Sequence, residues 1–295
     1  MILDNVINMV RKSKELNRER MEKSMRGAVW VKADNVSRYI FQELDKEHFD
    51  IHNDFPNVTA PWDDYFVSFK HPSWTYSKQY GVMDTGVPVG QVDVVAFVHT
   101  EKISDVNLLN IRQSLSISIF MINPDRYIAT GAIPVDNDGK VVSFHGPRKA
   151  IPVFPSSDLP EHIQEFAADG FRNYAQVVLM TNCFCHCKNI DHIETKVDDK
   201  LIRRRVREGK IPINKFYTLN INSNHHHSTG VSVGHGSGKS FHICRGHFKH
   251  FTADNPLLGK HVGTYWWSMH AKGDKLQGKV TKDYNINTGD ANVRT

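Results

Sequence analysis

Between Trp62 and Gly146 the chain reads as a succession of extended runs, and from Asp158 its apolar residues change to helical spacing. That switch from period 2 to period 3.6 constrains the fold more than any other feature, because strands followed by a long helix point to α+β rather than to alternating βαβ units. The runs are "WDDYFVSF" (62–69), "QVDVVAFVHT" (91–100) and "LSISIFMI" (115–122), the last two rich in β-branched residues. In "RYIATGAIPVDNDGKVVSFHG" two apolar runs flank "DNDG", whose Asp138-Gly139 pair suits the positive φ of a hairpin turn. Next, Asp158 stands before Leu159-Pro160-Glu161, a D-x-x-E start with proline in the first turn. Ile163, Phe166, Ala167, Phe171, Tyr174, Val177 and Val178 then follow helical spacing and predict a core face.

Two helices are expected in residues 1–46. The first carries Leu3, Val6, Ile7 and Val10 on one face, and the second is "NVSRYIFQELDKEHF". "DDKLIRRRVREGKIPINK" (198–215) reads as a short basic helix ended by Gly209 and Pro212. After it come four runs, "KFYTLNIN", "KSFHICRGHFKHF", "GTYWWSMHAK" and "KVTKDYNIN", read as a small antiparallel sheet. The expected architecture is therefore α+β: an N-terminal mixed region, a long core helix and a basic C-terminal antiparallel sheet. The expected division is 1–197 and 198–295.

Charge separates the two parts. From Lys200 to Thr295 there are 16 Lys/Arg against 5 Asp/Glu, a net +11, whereas the first 199 residues hold 21 against 27, a net −6. A basic third on a slightly acidic body points to a polyanionic partner, with nucleic acid (RNA favoured) ahead of a host protein. The longest apolar runs, such as "SISIFMI", are too short to span a bilayer, so no membrane partner is expected. Three of the four cysteines sit in "CFCHC" (183–187), which is no disulfide framework and suits a reducing cytoplasm.

The most chemical-looking stretch is "GHGSGKSFHICRGHFKHF" (234–251). It is not a phosphate-binding loop of the Walker type, because the pattern ending at Gly238-Lys239-Ser240 needs glycine where Val233 stands, and a strand rather than a helix follows. Cys183, Cys185 and Cys187 lack the C-x(2–4)-C spacing that brings thiolates onto one zinc ion, and buried thiols at a helix end explain them better. His225–His227 sit in a polar loop from which three adjacent imidazoles do not converge easily on one ion. No metal and no cofactor is expected.

Alternation in "FHICRGHFK" puts Arg245 and His247 on one face with Lys249 beyond them, and Gly246 allows close approach. In "GTYWWSMHAK" it puts Thr264, Trp266, Ser268, His270 and Lys272 on one face, with Tyr265, Trp267 and Met269 expected in the core. If the two first-named faces adjoin, the set suits metal-independent RNA cleavage. His247 and His270 would be the acid/base pair, Arg245 and Lys272 would stabilise phosphate charge, and Trp266 would stack a base. The same surface suits binding without chemistry, with Arg203, Arg204, Arg205, Arg207, Lys249 and Trp266 contacting nucleic acid.

"HICRGHFKHF…PLLGKHVGTYWWSMHAKGD" (242–274) resembles a recurring C-terminal element of bacteriophage and prophage proteins. These share an H-x-x-R-G-H-F segment, a glycine-containing loop and a G-x-x-W-x-x-x-H-like strand. The resemblance extends over about residues 160–287, including "CKNI" and "FYTLNI". It implies a phage or mobile-element origin and a host-cytoplasm location, and no reaction. A further similarity, at the level of fold only, is to the small sheets of barnase-, RelE- and EndoU-like RNases, which present His, Arg and Lys on one face. The competing classes are a non-enzymatic effector that binds host nucleic acid or a host defence protein, and a phage structural or assembly component.

Overall fold

The computed structural model describes residues 2–13, 16–43, 54–73, 75–78, 81–84, 90–103, 110–123, 127–143, 151–152, 161–213, 215–221, 240–244, 246–268, 270–272 and 274–279. The chain divides into two compact units. One is Met1–Asn222 with Phe248–Trp266, and the other is Ser223–His247 with Trp267–Thr295.

The first unit is α+β and is organised by one eight-stranded mixed sheet. Its strands are β1 (Val29–Lys32), β2 (Asp64–Ser73), β5 (Gly90–Lys102), β6 (Ile111–Asn123), β7 (Tyr127–Asp136), β8 (Ile151–Pro152), β9 (Asp191–Lys196) and β10 (Lys215–Asn220). They lie in the order β8-β7-β6-β5-β2-β1-β10-β9, while β3 (Thr75–Lys78) and β4 (Gly81–Asp84) pair only with each other. From β2 through β8 neighbouring strands are antiparallel. Strand β1 instead runs parallel to both neighbours, β2 and β10, and β9 closes the edge antiparallel to β10.

Both faces of this sheet are covered over its central strands, whereas the edge strand β9 is exposed along its whole length. Helix α1 (Ile2–Lys12) lays Leu3, Val6, Ile7 and Val10 on one face, against Trp30, Phe66, Val95, Phe97 and Phe120. The opposite face carries Val31, Tyr65, Val67, Ala96, Ile117 and Leu219. It packs on α3 (Asp34–Arg38) through Val36 and on α4 (Glu161–Cys185) through Phe171, Val178 and Leu179. Double coverage is why 94–98, "VVAFV", is a continuous apolar run whose five residues are all buried. Gly139, at φ +80°, makes the turn after β7 as its sequence suggests. A Cβ there would meet the Asn57 side chain, so this position favours glycine.

Three expectations about the chain's organisation are corrected. A second helix, α2 (Arg18–Gly27), and the four-residue β1 precede α3, which continues into a π-helical turn at Tyr39–Glu43. The run 215–220 is not part of a C-terminal sheet but is inserted between β1 and β9, because Leu219 belongs to the main core. The remaining C-terminal strands do not form one antiparallel sheet. Strands β12 (His247–Phe251) and β13 (Gly263–Trp267) pair with each other. In the second unit β11 (Ser240–Cys244) pairs antiparallel with β14 (His270–Lys272) and parallel with β15 (Asp274–Lys279).

Candidate nucleic-acid interface

The basic stretch forms α5 (Asp199–Arg207), started by Asp198, whose carboxylate accepts from the Lys200 amide at 2.6 Å. Arg204, Arg205 and Arg207 lie in its last turn, where cations complement the helix dipole. The four arginines do not share one environment. Arg203, Arg204 and Arg207 are exposed, and Lys200 joins them in a stripe at i, i+3, i+4 and i+7. Arg207 and Lys200 have no carboxylate partner among the described residues. Arg203 Nε reaches the Asp199 carbonyl at 3.4 Å. Arg204 Nε bonds Glu208 at 2.8 Å, and Lys210 bonds the other Glu208 oxygen at 2.7 Å. Hydrogen bonds from Lys210 and then Arg204 hold the Glu208 carboxyl down at about 2.

Arg205 is the correction within this set. It is only 3% exposed and turns inward, donating from Nε to the Ile211 carbonyl at 2.9 Å and from both terminal nitrogens to Asp4 of α1. Burial raises the Asp4 pKa, but the hydrogen bond and charge of Arg205 outweigh it, leaving the carboxyl below its ordinary value. Of the nine residues of α5 Arg205 is the one that is buried, while Leu201, one turn earlier, stays 36% exposed. Arg205 ties α5 to α1 and is not available to phosphate.

Trp266 is the second correction. It is 5% exposed, not a free stacking platform. Its ring lies 4.7 Å from Phe248, 4.9 Å from Phe184 and 5.2 Å from Tyr39, centroid to centroid. The Asn189 side chain bonds both its backbone N–H and its carbonyl at 2.8 Å. Thr264 is buried beside it, while Tyr265 is only half-buried, so the two faces of β13 are the reverse of those expected. The reason is the end of α4, which presents Phe184 to this hairpin.

Lys249 is exposed on β12, and His247 is half-buried at the start of that strand. Arg245 lies outside the described residues, as does the His225–His227 loop. His270 and Lys272 are described by backbone alone, opposite Cys244 and His242 in the β11–β14 register. The expected single strand "FHICRGHFK" is two strands in separate sheets, so alternation cannot be carried across Arg245-Gly246. Of the cysteines, Cys183 and Cys187 are buried and Cys185 is half-buried. Burial raises all three thiols, Cys185 and Cys187 to about 12, which makes them poor nucleophiles at neutral pH.

Sequence reading missed one polar cluster. His99 Nδ1 lies 2.7 Å from Asp64 on the neighbouring strand, and Arg20 of α2 bonds Glu101 at 3.0 Å beside it. Alternation in "FVHTEK" places His99 and Glu101 together, but only the β2–β5 register brings Asp64 to them. No protein-family model, no curated protein and no solved structure matches this chain. No helix among the described residues is long and apolar enough to cross a membrane.

Proposed function

We propose that this is a nucleic-acid-binding protein, with single-stranded RNA as its favoured partner, that acts in a host cytoplasm as the product of a phage or mobile element. The observation that carries the reading is the exposed stripe of Lys200, Arg203, Arg204 and Arg207 on α5. Guanidinium groups bind phosphate in a bidentate fork, and a stripe of them on one helix follows a backbone without reading bases. Lys249 is a further exposed cation on β12. The reading rests on these cations and not on base stacking, because Trp266 is core.

Incubation with labelled single-stranded RNA and DNA in EDTA tests this. Intact RNA retained by the wild type and lost by an R203A/R204A/R207A variant supports binding through α5. RNA cleaved by the wild type but not by an H247A/H270A variant would replace binding with metal-independent cleavage. Neither retention nor cleavage would overturn the nucleic-acid reading in favour of a host protein partner.

A further inference from the structure

On the α1 face of the sheet, at β2, β1 and β10, lies a cavity of about 410 Å³. That is within the range of small-molecule sites. Its floor follows from strand register: Phe66, Trp30 and Phe216 stand level across three parallel strands, and Trp30 and Phe216 line the cavity. Alternation brings Lys32 onto the same face one step further along, level with Ser68. The walls come from α1 and α5. At the rim, Ile2 and Leu201 keep 39% and 36% of their surface exposed, large apolar side chains on the two elements that flank the opening.

The polar groups of this cavity are not equivalent. The Ser68 hydroxyl accepts from Trp30 Nε1 at 2.8 Å. Arg205 is committed to Asp4 and the Ile211 carbonyl. Lys32 remains, with its ammonium 3.8 Å from the centroid of the Phe216 ring and no carboxylate partner among the described residues. The site is thus an open apolar groove with one exposed, uncompensated positive charge.

We propose that this cavity binds a small monocarboxylate with an apolar body, of fatty-acyl or aryl type. Lys32 holds the carboxylate, and Trp30, Phe216 and the α1 and α5 side chains enclose the body. One free ammonium matches a single carboxylate. A phosphate monoester would call for a second cation or a bidentate guanidinium, and Arg205 is already occupied. The proposal does not rest on nucleic-acid binding, and its test uses none.

Calorimetric titration of the full chain with decanoate, beside decanol and decylamine, reads the proposal directly. Saturable one-site binding of decanoate is expected, with decanol and decylamine weaker. Lys32→Met should reduce decanoate affinity roughly tenfold to a hundredfold, the loss of one charge-assisted contact, and leave decanol unchanged. Leu201→Trp, at the exposed rim, should block all three ligands. Thermal unfolding verifies that each variant is folded. No saturable decanoate binding by the wild type, equal affinity for decanoate and decanol, or full decanoate affinity in both folded variants would overturn it.

Discussion

Helix α5 and strand β13 were both expected to present their polar or aromatic side chains to solvent, and only the helix does so. The helix keeps three of its four arginines exposed and turns one inward to Asp4. The strand turns its expected stacking residue, Trp266, into the core between Phe184 and Phe248. A charged run on a short helix can give up only the residues on its inner side, because burying more cations unpaired costs far more than it returns. A strand of alternating aromatic residues offers two faces of nearly equal apolarity. Its orientation is decided by what packs on it, here the end of α4.

Truncating the two buried residues should give the largest effects. Trp266→Ala should destabilise the protein by about 3–5 kcal/mol, the range for a large aromatic removed from a packed core. A loss under about 1 kcal/mol in urea unfolding would mean that the indole is not core. Arg205→Ala should cost about 2–3 kcal/mol, less than the 3–5 kcal/mol of a fully buried pair, because Asp4 keeps 23% side-chain exposure. This contribution depends on ionised Asp4. It is present above the ordinary carboxyl value of 3.8 and is lost as pH falls through the lowered folded value.

A smaller effect tests the helix end on which β13 packs. His186 bonds the Thr59 hydroxyl at 2.9 Å, and burial lowers its pKa from the ordinary 6.5. A depressed folded value means that its stabilising contribution is present above pH 6.5 and lost as pH falls through the folded value. Wild-type Tm should therefore fall more steeply than that of His186→Gln on acidification below pH 6.5. Parallel curves would exclude the linkage. The smallest stability effects belong to Arg203→Ala and Arg207→Ala, each within about 0.5 kcal/mol as exposed substitutions. Each should nevertheless weaken RNA binding at low salt.

The α+β class was legible because the change of hydrophobic period at 158 is a local signal, and so was the turn at Gly139. Strand β1 was not, since "VWVK" is too short to show a period and is defined by pairing with β2 and β10. The insertion of β10 into the main sheet was hidden because one of its two partners, β1, lies far away in sequence. The exposed side of α5 could be read from composition. The inward turn of Arg205 could not, because its partner Asp4 is 201 residues away. The Lys32 cavity likewise joins residues from α1, β1, β2, α5 and β10, none of which carries a motif.

We propose that α5 divides its arginines between a nucleic-acid face and a structural anchor. A scan of R203A, R204A, R205A and R207A, each measured for urea stability and for the slope of log K against log salt on single-stranded RNA, tests it most directly. The account predicts that R203A and R207A keep wild-type stability and lower the salt slope by about 0.7 each, one phosphate contact on a single strand. It predicts that R205A loses stability and, where still folded, keeps the wild-type slope. An unchanged slope in R203A and R207A, or a lowered slope with full stability in R205A, would contradict it.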